Sequence, residues 1–414
     1  MQRKIGTASR LLACVSVIVA ATGCGGGGNN PGQNPQQAQQ TVETGRQQIN
    51  AILAGTPTEA NLQQVVNTFN TARAQAPNNA QAQFGFAISS VALQAQALIN
   101  RIQGRAAGAE TDALDVAASR GTLWNVSSPD AGLSANTLRL ALTAPLSAAM
   151  RSRAVAPNQI RTALDNLKTT LDTAIPLVES VANQSGFTFQ LTDRNGTFTI
   201  DQGDAQSFLS GLYIVRAITN MALAYDFNWG TFDFGQSINA KFGATLIDGA
   251  LIGPNDYLPP LPFGTLLSDG AARFAAAKQD LSTAADKALV AVDMLTARTD
   301  TTRHLVDATT INATTAKDTV NTYKADLSQS FQVNSDGIQQ TFNPNAWFTQ
   351  PPTSLRALMP TYHVIGESDP FLLQTSPNDY PDKTFGGLRV NPSDDMYHTE
   401  VFSDSAVSAL LIKL

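Results

Sequence analysis

The 414-residue sequence predicts a mainly α fold of antiparallel helical hairpins, with one small β-hairpin and a long irregular C-terminal segment. Three observations predict it. Apolar residues recur at steps of three and four through most of residues 41–333, the mark of helices with one buried face. The period falls to two only near residues 187–200. From Asn334 onward Pro, Asp and aromatic residues leave no sustained period. With 43% hydrophobic and 14% charged residues, the chain has enough apolar surface to fold downstream of its polar start. Its length allows one large helical domain or two smaller ones.

The elements follow in order. Val42, Ile49, Ile52 and Leu53 share the face of a first helix, which Gly55 and Pro57 end. Thr58 caps a second, with Leu62, Val65, Val66, Phe69, Ala72 and Ala76 inward. Pro77-Asn78-Asn79 turns the chain into a third, carrying Phe84, Ala87, Val91, Leu98 and Ile102. Residues 104–130 are less regular, and Ser134 to Met150 reads as a helix. A longer helix runs from Pro157, suited to a first turn, to about Asn183. Its Ile160, Leu164, Leu167, Leu171, Ala174, Val178 and Val181 form a seam, and Pro176 is expected to kink it. Phe187, Phe189 and Leu191, then Phe198 and Ile200, alternate with polar residues around Asp193-Arg194-Asn195-Gly196, a hairpin signature. Asp201 or Asp204 can cap the next helix, which carries Phe208, Leu212, Val215, Ile218 and Leu223. Residues 226–267 are irregular and aromatic. Helices are expected over 268–297 and 313–331, the second including Phe331. The segment 334–414 is expected to wrap irregularly over the helices, with a short final helix or strand over 406–412.

The N-terminus has a different character. Arg3, Lys4 and Arg10 precede an apolar run from Leu11 to Ala20, then Ala21-Thr22-Gly23-Cys24 and four glycines. The run is short for a membrane span of roughly 20 residues. This pattern resembles a bacterial lipoprotein signal peptide ending in a lipobox. The resemblance implies that residues 1–23 are removed and Cys24 is lipidated. Gly25, rather than Asp, after that cysteine implies the outer membrane, facing the periplasm or the cell surface. Each buried CH₂ of the acyl chains contributes about 0.8 kcal/mol, so attachment is permanent in effect. Residues 24–40 then read as a tether rich in Gly, Asn, Pro and Gln, with an end-to-end distance of about 20 Å.

Loss of Arg3, Lys4 and Arg10 takes the 27 basic residues to 24, against 33 acidic ones. An acidic chain argues against nucleic acid and against a polybasic grip on anionic lipid. Cys14 leaves with the signal and Cys24 is taken by lipid, which leaves neither a disulfide nor a thiolate ligand.

Phe69, Ala72 and Pro77 reproduce the spacings that close a tetratricopeptide (TPR) repeat, and Phe86 and Ala87 fall where the next repeat places a large and a small packing residue. Residues 43–103 thus resemble one TPR repeat and part of a second. The resemblance implies a TPR-like array, a stack of hairpins of the kind that binds partner proteins or peptides in a groove.

Little else points to chemistry. The three histidines, His304, His363 and His398, lie in no zinc-helix pattern, and no metal site is expected. Gly366-Glu367-Ser368-Asp369 lacks the closing glycine of a nucleophile elbow. Asp193, Asn195 and Gly196 resemble half a calcium loop, but Phe198 and Gln202 stand where later ligands belong, and turn formation explains them. No Gly-rich phosphate cradle, catalytic residue or cofactor is expected beyond the lipid on Cys24. Trp229, Phe232 and Phe234, and Trp347 in the tail, suit either an exposed platform for a ligand or partner, or gap-filling in a helical core. The sequence therefore points to a non-enzymatic, lipid-anchored envelope protein acting as a protein-interaction or scaffold module. The alternative is a solute- or polysaccharide-binding lipoprotein, because SusD-type glycan-binding lipoproteins share the outline of lipobox, TPR-like helices and aromatic loops.

Overall fold

A computed structural model describes residues 34–54, 58–102, 157–230, 249–335, 338–365, 371–375, 377–390 and 398–402. The expected helix over 134–150, the stretch 104–130, Cys24 and the element over 406–412 lie outside them. The described chain is mostly helical, with small antiparallel sheets.

Helix α1 (Pro35–Ala54) begins inside the segment expected to be tether. Asn34 starts it, its Oδ1 accepting the Gln37 N–H at 3.1 Å, with Pro35 in the first turn. Ala38 is fully buried, so the buried face of Val42, Ile49 and Ile52 reaches one turn further back than the glutamines around it suggest. Helix α2 (Glu59–Gln75) is capped by Thr58, and Asn79 caps α3 (Ala80–Ile102) through the Ala82 N–H at 2.9 Å. Each of the three packs on the next, and the short connections make neighbours antiparallel. Phe69 explains how closely they approach. Its ring is fully buried between α1 and α3, lying on Gly45 and Gly85. A Cβ on Gly45 would stand 2.7 Å from that ring, and one on Gly85 2.2 Å.

Helix α4 (Pro157–Ala182) packs on α3 and continues through Pro176. Strands β1 (Thr188–Asp193) and β2 (Gly196–Asp201) form the expected hairpin, with Phe189 opposite Ile200 and Leu191 opposite Phe198. All four side chains are buried, and β1 lies against α1. Helix α5 (Gln202–Leu223) packs on α4, and α7 (Gly270–Thr296) lies along α5. Between them come β3 (Leu251–Ile252) and the one-turn α6 (Pro254–Tyr257). Helix α8 (Ala313–Asp326) packs on α7 and stops sooner than expected. Phe331 opens a strand instead, stacked on Phe342 with ring centroids 5.8 Å apart.

The irregular C-terminal segment carries short strands between its loops. Strands β4 (Phe331–Ser335), β5 (Ile338–Phe342) and β8 (Arg389–Val390) form one sheet. Strand β3 joins β6 (Tyr362–Ile365), β7 (Phe371–Thr375) and β9 (His398–Phe402) in another. The segment is fastened to the helices by buried phenols: Tyr225 donates to the Pro352 carbonyl at 3.0 Å, and Tyr257 to that of Pro360 at 2.7 Å. Burial raises the pKa of both hydroxyls, which therefore stay protonated donors.

Two apolar cores result. One lies among α1–α5 and the hairpin, and the other among the ends of α4 and α5, helix α7, the aromatic loop and the C-terminal segment, including α9 (Pro344–Thr349).

Candidate functional site

The first core is not completely filled. A partly open cavity of about 170 Å³ lies where five helices, the β-hairpin and one loop converge, Leu167 of α4 and Leu191 and Phe198 of the hairpin joining its lining. Helix α1 contributes Ile49, Ile52 and Leu53, α2 Leu62 and Val65, and α3 Ile88, Val91, Ala92 and Ala95. The other wall is Phe208, Leu212 and Val215 of α5, closed by Leu305 and Val306. These side chains face inward by helical spacing, three or four residues apart on each helix. The only ionisable group in the lining is Asp204.

Asp204 belongs to an ionic cluster at the start of α5. Asp201 ends β2 and caps the helix, its Oδ1 accepting the Asp204 N–H at 3.0 Å, while Asp204 Oδ2 accepts the Asp201 N–H at 3.1 Å. Onto this capping box folds the loop after α7. Arg298 donates Nε and Nη2 to the two oxygens of Asp201 at 2.8 and 2.5 Å, and Nη2 also lies 2.8 Å from Asp204 Oδ2. Its Nη1 donates to the Val306 carbonyl, and the Val306 N–H donates back to Asp204 Oδ1 at 3.0 Å. Thr199 completes the seam with two backbone hydrogen bonds, its N–H donating to the Arg303 carbonyl at 2.8 Å and its carbonyl accepting the Leu305 N–H at 3.2 Å, and Arg303 grips Asp193 at 2.8 Å. Residues 298–306 thus form a strap that carries Leu305 and Val306 into the cavity wall.

His304 lies on the strap with its side chain nine-tenths buried. Its Nε2 is 3.0 Å from Asp300 Oδ1. Its Nδ1 has no hydrogen-bond partner and stands 3.5 Å from Asp201 Oδ2 and 3.6 Å from Asp204 Oδ2. The electrostatics follow from burial. Asp204 is pushed up to about 6, burial outweighing the attraction of Arg298. For Asp201 burial also pulls upward, but the Arg298 and Asp204 N–H donors prevail and hold it below the ordinary carboxylate value. The His304 hydrogen bond lowers exposed Asp300 to about 2.

The sequence-predicted residues fall into place unevenly. Phe69, Ala72 and Ala87 are fully buried in the hairpin core, and Pro77 makes the turn between α2 and α3. Phe86, expected as the large packing residue, is only half-buried beneath the Arg73 guanidinium, 4.2 Å from its ring centroid. Phe84, two residues earlier, takes the interior position against Phe187, Phe189 and Phe208. The helical period, which puts Phe84 and Ala87 on the buried face, therefore holds, and the TPR register that calls on Phe86 does not; Gly85 lies against Phe69. Trp229 and Trp347 are buried in the second core, Trp347 donating its indole N–H to the Phe385 carbonyl. Neither offers an exposed stacking face, so gap-filling describes both; Phe232 and Phe234 lie outside the described residues. His363 pairs with Asp379 in the C-terminal segment. The meeting of Asp201, Asp204 and His304 was not foreseen. Its only signal in the sequence was a pair of carboxylates suited to capping, a hundred residues from the histidine.

Comparison of the chain with protein-family models, with curated proteins and with solved structures found no match.

Proposed function

We propose that this chain is a non-catalytic, lipid-anchored binding protein of the bacterial envelope whose ligand is an apolar small molecule held in the cavity between α1–α3 and α5. The observation that carries the reading is a lining of aliphatic and aromatic side chains around about 170 Å³. An enclosed apolar cavity of about 150 Å³ takes up benzene or xenon; this one is open on one side, so it suits a small aromatic or the end of an acyl chain whose remainder reaches solvent. Asp204 is the one ionisable group among the described lining residues, and Arg298 and the Val306 N–H hold its carboxylate at the start of α5. The anchor is compatible with the position. Ile49 stands about 20 Å along α1 from Pro35 at 1.5 Å per residue, so the cavity lies at the end of α1 remote from the tether.

The test uses N-phenyl-1-naphthylamine, an apolar dye that brightens out of water. Saturable one-to-one binding is expected for the intact protein and is lost in Ala92→Trp, which fills the space from α3. Absence of saturable binding, or equal binding by the folded variant, overturns the proposal. The anchor is tested separately. Cells expressing the protein should incorporate labelled fatty acid into it, and Cys24→Ser should abolish both label and membrane retention.

A protein partner is the second reading, favoured by the antiparallel packing of α1, α2 and α3 that a TPR-like groove requires. In that case Ala92→Trp loses a crosslinked envelope protein, while the wild type never binds the dye.

A further inference from the structure

The cluster at the start of α5 has a charge imbalance and an unused ligand atom. Asp201, Asp204 and Asp300 contribute three carboxylates, and Arg298 is the one guanidinium placed among them. Arg303, the next cation on the strap, is engaged by Asp193. A divalent cation would bring the three carboxylates and Arg298 to neutrality.

His304 is the second observation, and it is independent of the acidic pair. Its Nε2 faces Asp300, and that hydrogen bond assigns the ring proton to Nε2. The lone pair of Nδ1, which has no hydrogen-bond partner, is then directed, within a nine-tenths buried side chain, at one oxygen each of Asp201 and Asp204. With both carboxylates ionised, the arrangement calls for a positive charge between them, either a second ring proton or a metal ion. It also matches the carboxylate–histidine–metal relay, in which a ligating imidazole donates its other N–H to a carboxylate that orients it. The spacing agrees. The 3.5 and 3.6 Å separations from Nδ1 correspond to ligand edges of about 3.3–3.6 Å around an ion with bonds near 2.0–2.2 Å. One ligand atom from each of Asp201, Asp204 and His304 lies within 4.8 Å of the others. Asp201 Oδ2 accepts only Arg298 Nε and retains a lone pair, whereas Asp204 Oδ2 already accepts the Asp201 N–H and lies 2.8 Å from Arg298 Nη2, so an ion there takes the place of that one Arg298 contact while Arg298 keeps Asp201.

We propose that Asp201, Asp204 and His304 form a binding site for a divalent transition-metal ion, oriented by Asp300, which clasps the 298–306 strap onto α5. One imidazole with two carboxylates suits a borderline ion of the zinc type. Asp201 is partly exposed, which gives the ion a route in from solvent. The role is structural: the ion would hold the strap, and with it Leu305 and Val306, against the cavity.

The experiment is calorimetric titration of Zn²⁺ into the metal-free full-length protein with Cys14 and Cys24 alkylated, so that thiols cannot contribute. One equivalent should bind, and amide exchange at residues 298–306 should slow when it does. His304→Gln should abolish the site, Asp300→Asn should weaken it about 10–100-fold, and His363→Gln should leave it unchanged. If His304→Gln does not fold, Asp300→Asn and the exchange footprint decide. No saturable binding by the folded wild type, undiminished binding by folded His304→Gln, or a footprint away from the strap would overturn the proposal.

Discussion

Phe69 provides a test in which one substitution should change sign. The ring is fully buried against Gly45 and Gly85, with the Phe189 ring centroid 6.1 Å away. Phe69→Ala removes the wedge from a site whose backbone neighbours are held by three helices, so collapse is incomplete and the cost should be about 3–5 kcal/mol. Gly85→Ala in the wild type sets a methyl group 2.2 Å from the ring edge. Overpacking of that kind costs about 1–3 kcal/mol even though alanine is the better helix former. In the Phe69→Ala background the obstruction is gone, and the same Gly85→Ala should stabilise by about 1 kcal/mol through helix propensity and partial filling of the hole. The coupling between the two positions is therefore about 2–4 kcal/mol. Urea unfolding followed by circular dichroism on the four proteins of the cycle measures it. Additive effects, or a destabilising Gly85→Ala in both backgrounds, would refute the claim that these glycines exist to seat Phe69.

The strap makes two further predictions. Arg298→Met leaves Asp201 and buried Asp204 without their cation and should lower stability by about 3–5 kcal/mol at neutral pH; a loss under about 1 kcal/mol in urea unfolding would show that the cluster is not held by this pair. Asp204, raised from 3.8 to about 6, binds a proton in the folded protein that the unfolded chain releases, so its contribution to stability grows as pH falls from about 6 to about 4. The stability of wild type relative to Asp204→Asn should rise by up to about 3 kcal/mol over that window. Asp201, held low, loses its contribution only as pH falls through its own depressed pKa, below that window. A flat difference between wild type and Asp204→Asn, or an Asp204 carboxyl titrating near 4, would contradict the assignment.

The helices, the β-hairpin and the capping role of Asp201 and Asp204 were legible because each is local. A buried face needs apolar residues at helical spacing, and a cap needs a short acceptor at one position. The same locality explains the misreadings. Ala38 in a run of glutamines is too weak a signal to carry α1 back to Pro35. Phe331 continues the apolar spacing of α8, yet pairs with Phe342 in a sheet that the spacing alone does not reveal. The period of α3 selects Phe84, whereas the TPR spacing selects Phe86, and the structure buries Phe84.

The sequence by itself determined the mainly helical class and the order of the principal helices, because composition and period act within a few turns of chain. Tertiary structure alone decided that Trp229 and Trp347 fill a core and that the faces of α1, α2, α3 and α5 leave about 170 Å³ between them. It alone also decided that His304 meets Asp201 and Asp204. Those outcomes depend on which buried faces meet, and contacts between residues a hundred positions apart leave no period in the chain.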